Sequence, residues 1–226
     1  MRQVKERPII FSGATVRAIL AGTKTQTRRV ANVSVVSNVK LLKLRGCSCY
    51  IDFDDVPGLS WRPFGGSPTV PLPQSEIDAR GFYGAPGSQF WVREAWRVLH
   101  SEADICYRAD DATKRFLDHE TWFDGDWKAT KNHNWRPSIH MPRWASRIDL
   151  ELTAVRVERV QEISEADAIA EGVDRAVNDM TSARYGGHPY CSGFGALWDQ
   201  INGKREGCSW EANPYVWALS FRRLHP

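Results

Sequence analysis

The run SRIDLELTAVRVERVQEI, residues 146–163, constrains the fold more than any other stretch of the chain. Ile148, Leu150 and Leu152 alternate with Asp149, Glu151 and Thr153, and Val155, Val157 and Val160 follow. Successive side chains of a strand point to opposite faces, so this pattern predicts a long strand buried on one side. SEADAIAEGV comes next, with Ser164 as N-cap, Asp167 at the capping-box position and Gly172 as a stop, which predicts a short helix. Near the N-terminus RPIIFS suits a strand. GATVRAILAG places Val16, Ile19 and Leu20 on one helix face, with Ser12 to cap it and Gly22 to end it.

VVSNVKLLKLRGCSCYIDF predicts a hairpin, and DDVPGLSWRPFGGSPTVPLPQ, dense in Pro and Gly, a long loop. APGSQFWVREAWRVL predicts a turn running into a strand, and Ser101 to Ser138 a polar excursion of strand and loop. GFGALWDQING reads as a second punctuated helix and YVWALSFRRL as a closing strand. Strands and short helices without a regular βαβ rhythm predict an α+β, barrel-like domain rather than a doubly wound sheet.

A chain of 226 residues can bury a substantial core as one domain with insertions. Lys and Arg total 30 against 27 Asp and Glu, a balance too mild to mark a nucleic-acid binder by itself. Five Cys, no signal-like apolar N-terminus and no membrane-length apolar run together imply a cytoplasmic protein with reduced thiols. No CxxC pair occurs, so no metal is expected, and no cofactor fingerprint is present. Ten Trp are present, several beside Arg or Pro, as in SWRPF, FWVREAW, NWRPS and PRWAS. Indole and guanidinium faces stack on bases, although Trp is also common core filler.

The chemistry-bearing stretch is AGTKTQTRRV, residues 21–30. A cationic cluster after a helix is commonly a solvated C-terminus. A Lys among other cations is also pushed toward the neutral form and becomes a usable base, a nearby Thr hydroxyl a nucleophile, and a carboxylate a proton donor. Further along, Arg93 and Glu94 are neighbours on a strand and face opposite sides, with Glu94 the expected inward one. Trp91 and Trp144 are candidate stacking walls.

GTKTQTRR resembles the GxKxxTxR signature of ASCH domains, within the PUA-like superfamily, with Gly22, Lys24, Thr27 and Arg29 in the four fixed places. The order of elements, PGSQFWVREAW and IHMPRWASRI make nearly the whole chain similar to the longer ASCH-like proteins of phages and prophages. The resemblance implies a single domain over 1–226: a PUA-like mixed β-barrel with short peripheral helices and insertions around 47–80 and 101–135. In family members that hydrolyse N(4)-acetylcytidine, the motif Lys accepts a proton, the motif Thr attacks and a Glu on the following helix donates. By position these are Lys24, Thr27 and Glu171, with Glu165 or Glu94 as alternative carboxylates. Gly22, Arg28, Arg29, Glu94, Trp91 and Trp144 complete the expected binding set for a nucleoside, RNA or single-stranded DNA, with no membrane partner. Arg28 lies outside the signature and is expected to face solvent. The alternatives are a non-catalytic RNA or DNA binder and a metal-independent ribonuclease.

Overall fold

The computed structural model describes residues 6–31, 33–36, 39–42, 60–61, 70–71, 83–98, 104–115, 134–174, 184–185 and 188–225. They form an α+β structure with mostly antiparallel strand pairing. Two compact units arise from interleaved segments: Met1–Gly22, Gln89–Glu151 and Arg223–Pro226 in the first, Thr23–Ser88 and Leu152–Arg222 in the second.

In the first unit, β1 (Glu6–Ile10) runs parallel to β7 (Gln89–Arg93), and β7 pairs antiparallel with the first residues of β11 (Asp149–Arg159). Helix α1 (Gly13–Leu20) starts where the Ser12 hydroxyl accepts the Thr15 N–H, and it buries Val16 and Ile19. Gly22 ends it with φ +74°, a left-handed backbone that a side chain would strain. The stretch expected to continue as one strand beyond β7 is interrupted at Glu94 and Ala95. It resumes as β8 (Trp96–Val98), which pairs with β9 (Asp104–Tyr107) and through it with β10 (Thr113–Arg115) in a separate three-stranded sheet. One face of that sheet packs Trp96, Ile105 and Tyr107 against Met141 and Ala145.

In the second unit the strand order is β11, β12 (Tyr215–Arg223) and β2 (Gln26–Val30). The hairpin predicted around 35–53 is present as β3 (Val33–Val36) paired with β4 (Val39–Leu42), and its remainder lies outside the described residues. The expected long loop at 54–74 contains one short antiparallel pair, β5 (Ser60–Trp61) with β6 (Val70–Pro71). Most of the two expected insertions falls outside the described residues.

Helix α2 (Glu165–Ala170) is capped by the Ser164 hydroxyl accepting the Asp167 N–H, and Gly172 follows at φ +70°. Helix α3 (Pro189–Asn202) begins four residues before the expected GFGALWDQING, because Pro189 is suited to the first helical turn. These two helices close a core of Val160, Ile163, Ala168, Tyr185, Phe194, Trp198, Trp210 and Val216.

Gly195 shows how tightly that core is fitted. A Cβ there would lie 2.6 Å from Tyr185 Cδ1, and the ring is tethered by its hydroxyl donating to Asp199 at 3.1 Å. Gly195→Ala gains up to about 1 kcal/mol of helix propensity. Overpacking costs about 1–3 kcal/mol. Thermal unfolding should therefore show a lowered midpoint, and a raised one would mean that the ring moves aside freely.

Candidate functional site

Lys24 and Thr25 lead into β2 and are fastened to the end of α2. The Thr25 N–H donates to the Ala170 carbonyl at 2.8 Å, while the Thr25 carbonyl accepts the Phe221 N–H at 2.8 Å. Lys24 Nζ donates to the Glu171 carbonyl at 2.7 Å and to Glu171 Oε2 at 2.6 Å. The cation thus satisfies a helix-terminal carbonyl and a carboxylate together. Glu165 lies elsewhere on α2 and pairs with His188 at 3.0 Å.

Strand β2 carries the next two polar groups. Directly opposed residues of an antiparallel pair share a face, so the pairings Gln26 with Ser220 and Arg28 with Ala218 place all four on one side. Gln26 donates to Ser220 Oγ at 3.1 Å and to Asp167 Oδ1 at 3.0 Å. The small Ala218 leaves room above β12, and Arg28 reaches Glu158 on β11 through Nε at 2.8 Å and Nη2 at 2.6 Å. Nη2 also donates to Asp167 at 3.0 Å, and Nη1 to Gln26 Oε1 at 2.7 Å and Glu171 Oε1 at 3.3 Å. All five N–H donors of the guanidinium are thereby occupied.

The expectation that Arg28 faces solvent is corrected: its side chain is 0 % exposed. Nor is a donor left over for a ligand. A charge moved out of water is tolerated only when fully paired, and Arg28 sits where three carboxylates converge. Arg156 completes the cluster, donating to Glu158 at 3.3 Å and Asp167 at 2.9 Å. Three cations, Lys24, Arg28 and Arg156, thus meet three anions, Glu158, Asp167 and Glu171.

Thr27 and Arg29 have the opposite parity and point to the other face of β2. They pair with Leu219 and Trp217, and the Trp217 ring meets Tyr83 edge-on with centroids 6.3 Å apart. Thr27 is buried, and its hydroxyl makes no hydrogen bond to another described residue. The motif therefore divides between two faces, with Lys24 ahead of the strand.

Burial is the largest influence on Lys24 and pulls its ammonium below the ordinary lysine range. Glu171 opposes this shift, whereas Arg29 and Arg28 add to it. For Asp167, burial raises the carboxyl pKa, but Gln26, Arg28 and Arg156 outweigh it and hold the group below the usual carboxylate range.

Glu94, Trp91 and Trp144 belong to the first unit. Glu94 does turn inward, 1 % exposed, and its carboxylate accepts Arg147 Nε at 2.8 Å and Nη2 at 3.0 Å. Arg147 also donates to Asp110 and lies 4.1 Å from the Tyr107 ring centroid. Trp91 is buried with Arg93 4.6 Å from its ring, whereas Trp144 is exposed and set edge-on to Trp96.

The site also takes in Gln26, Arg156, Glu158 and Ser220, which no motif marks, and Asp167, expected only at the capping-box position. The alternation of Arg156 and Glu158 in RVER, beside valines of the other parity, was the available signal. A cavity of about 650 Å³ in the second unit has Tyr185, His188, Cys191, Asp199 and Trp210 among its walls, without Lys24 or Thr27. Among the described residues no three His, Cys, Asp or Glu converge as metal ligands, and no helix is long and apolar enough to cross a membrane. Compared with known proteins, the chain matches no family model, no curated protein and no solved structure.

Removing Arg28 leaves three carboxylates with only Lys24 and Arg156 to balance them. Arg28→Met should cost about 3–5 kcal/mol, read from denaturant unfolding, and a loss below about 1 kcal/mol would show that the cluster relaxes around water. The folded-state pKa of Asp167 is depressed, so its stabilising contribution is complete above the unfolded value and fades as pH falls through the folded one. Asp167→Asn should therefore be destabilised relative to the parent at pH 7, with the gap closing below about pH 4. A gap independent of pH would contradict the ionic role.

Proposed function

We propose that the chain is an ASCH-type protein of PUA-like barrel architecture that binds a nucleoside or RNA in the cytoplasm and hydrolyses the amide of an N(4)-acylated cytidine. The observation that carries this reading is the buried contact of 2.6 Å between Lys24 Nζ and Glu171 Oε2. Amide hydrolysis needs a base for the nucleophile and an acid for the departing amine, and two such groups sharing a proton can serve both ends. Burial works against the charged form of Lys24 and so favours the neutral amine that a base requires.

Lys24 takes the proton of Thr27 Oγ1, the oxygen attacks the acyl carbonyl, and the C–N bond to cytidine breaks as Glu171 protonates the leaving amine. Water then cleaves the acyl-threonine ester, giving one proton to Glu171 while Lys24 returns one to Thr27, which restores both groups. Arg28 and Gln26 act as positioning residues, since Arg28 holds the second oxygen of Glu171 at 3.3 Å and Gln26 holds Arg28.

A non-catalytic nucleic-acid binder is the second reading, favoured by the parity that turns Thr27 away from Gln26 and Arg28. One assay separates the two. Purified protein incubated with N(4)-acetylcytidine should release cytidine, with Lys24→Ala and Thr27→Ala each lowering turnover by at least about a hundredfold. Turnover absent from the parent chain, or retained by Thr27→Ala, rules out hydrolysis by this machinery.

A further inference from the structure

The cavity of about 650 Å³ in the second unit has an aromatic corner closed by a carboxylate. Tyr185 and Trp210 form the corner, their rings edge-on with centroids 6.0 Å apart. Asp199, in the last turn of α3, ties them together: Oδ1 accepts the Trp210 backbone N–H at 2.7 Å, and Oδ2 accepts the Tyr185 hydroxyl at 3.1 Å. An ionised carboxylate offers about four acceptor positions, so these two neutral donors use part of its capacity and leave its charge unmatched. Glu211 adds a second carboxylate to the wall, whereas His188 on the wall is already engaged by Glu165 at 3.0 Å.

Arg184 shows what this corner attracts. Its guanidinium carbon lies 5.2 Å from the Tyr185 ring centroid, and its Nη2 lies 3.8 Å from Asp199 Oδ2, farther than a hydrogen bond reaches. The side chain is 72 % exposed, so the chain's own cation rests loosely at the solvent side of the cavity. Ring quadrupole and carboxylate both favour a cation there, and the more so the farther it moves out of water. An anion would be repelled by Asp199 and Glu211, and an uncharged apolar ligand would cover the acceptors of Asp199 without supplying donors. The volume falls in the range of ordinary small-molecule sites.

We propose that this cavity binds a small organic cation carrying a guanidinium group, which takes the place of Arg184 between Tyr185 and Asp199. A planar guanidinium can donate in its plane to the carboxylate while its face meets the phenol ring, and its alkyl part then lies against Trp210. The cavity shares no wall residue with Lys24, Thr27 and Glu171, so the proposal stands apart from hydrolysis.

The test is isothermal titration of the full chain with n-butylguanidinium, set against n-butylurea as its uncharged isostere and pentanoate as an anion. The parent should bind the guanidinium and neither of the others over the same concentration range. Arg184→Gln removes the competing internal cation and should tighten binding by about two- to fivefold, the worth of an exposed ion pair. A site built for anions would respond with the opposite sign. Asp199→Asn should weaken binding by at least about tenfold. If that variant loses its circular-dichroism signature, Glu211→Gln, on an exposed side chain, answers instead with a loss of about twofold. Absence of binding by butylguanidinium, equal binding of butylurea, or unchanged or weaker binding in Arg184→Gln overturns the proposal.

Discussion

The guanidinium of Arg28 is the interaction on which the second unit is arranged. A cation with no exposed surface must have every donor satisfied, and the five bonds it makes draw Gln26 of β2, Glu158 of β11, and Asp167 and Glu171 of α2 and its end to one point. This requirement explains several otherwise unrelated features. Ala218 is small because the guanidinium passes over β12, and α2 ends where Glu171 can meet both Lys24 and Arg28. Lys24 and Arg156 bring the cluster to electrical balance.

The first unit contains a comparable arrangement. Arg147 is set between Glu94 and Asp110 and lies over the Tyr107 ring, and its pKa is raised even though burial opposes the charge. Burial pushes the Glu94 carboxyl up while Arg147 pulls it down, and the Tyr107 phenol is pushed well above its usual range, chiefly by burial. Both units therefore carry a buried guanidinium surrounded by carboxylates and packed near an aromatic ring, since Arg28 lies 5.7 Å from the Phe194 centroid. The cluster around Arg28 differs by including a lysine, whose ammonium burial pulls below the ordinary lysine range.

The division of arginines between paired and unpaired states follows from the same constraint. Arg28 and Arg147, largely shut off from water, have carboxylate partners. Arg108 is exposed and Arg97 and Arg136 are half-exposed, so water reaches most of their donors in place of a carboxylate, although Arg97 Nε is itself buried. Composition alone could not separate these groups, because an Arg beside a Trp reads the same whether its edge meets a glutamate or solvent.

The sequence by itself determined the elements governed by short-range forces. The strand within 146–163 followed from alternation, α1 and α2 from the Ser12 and Ser164 caps, and their ends from Gly22 and Gly172, whose positive φ is a local steric matter. It also brought Lys24, Thr27 and Glu171 to attention through motif and order. The tertiary structure alone decided that Arg28 is buried, that Glu158, Asp167 and Gln26 are its partners, that Thr27 lies on the opposite face of β2, and that Glu94 belongs with Arg147. These outcomes depend on which strand lies between two others and on its register. Burial of a charge depends on partners more than a hundred residues away, which no local pattern encodes.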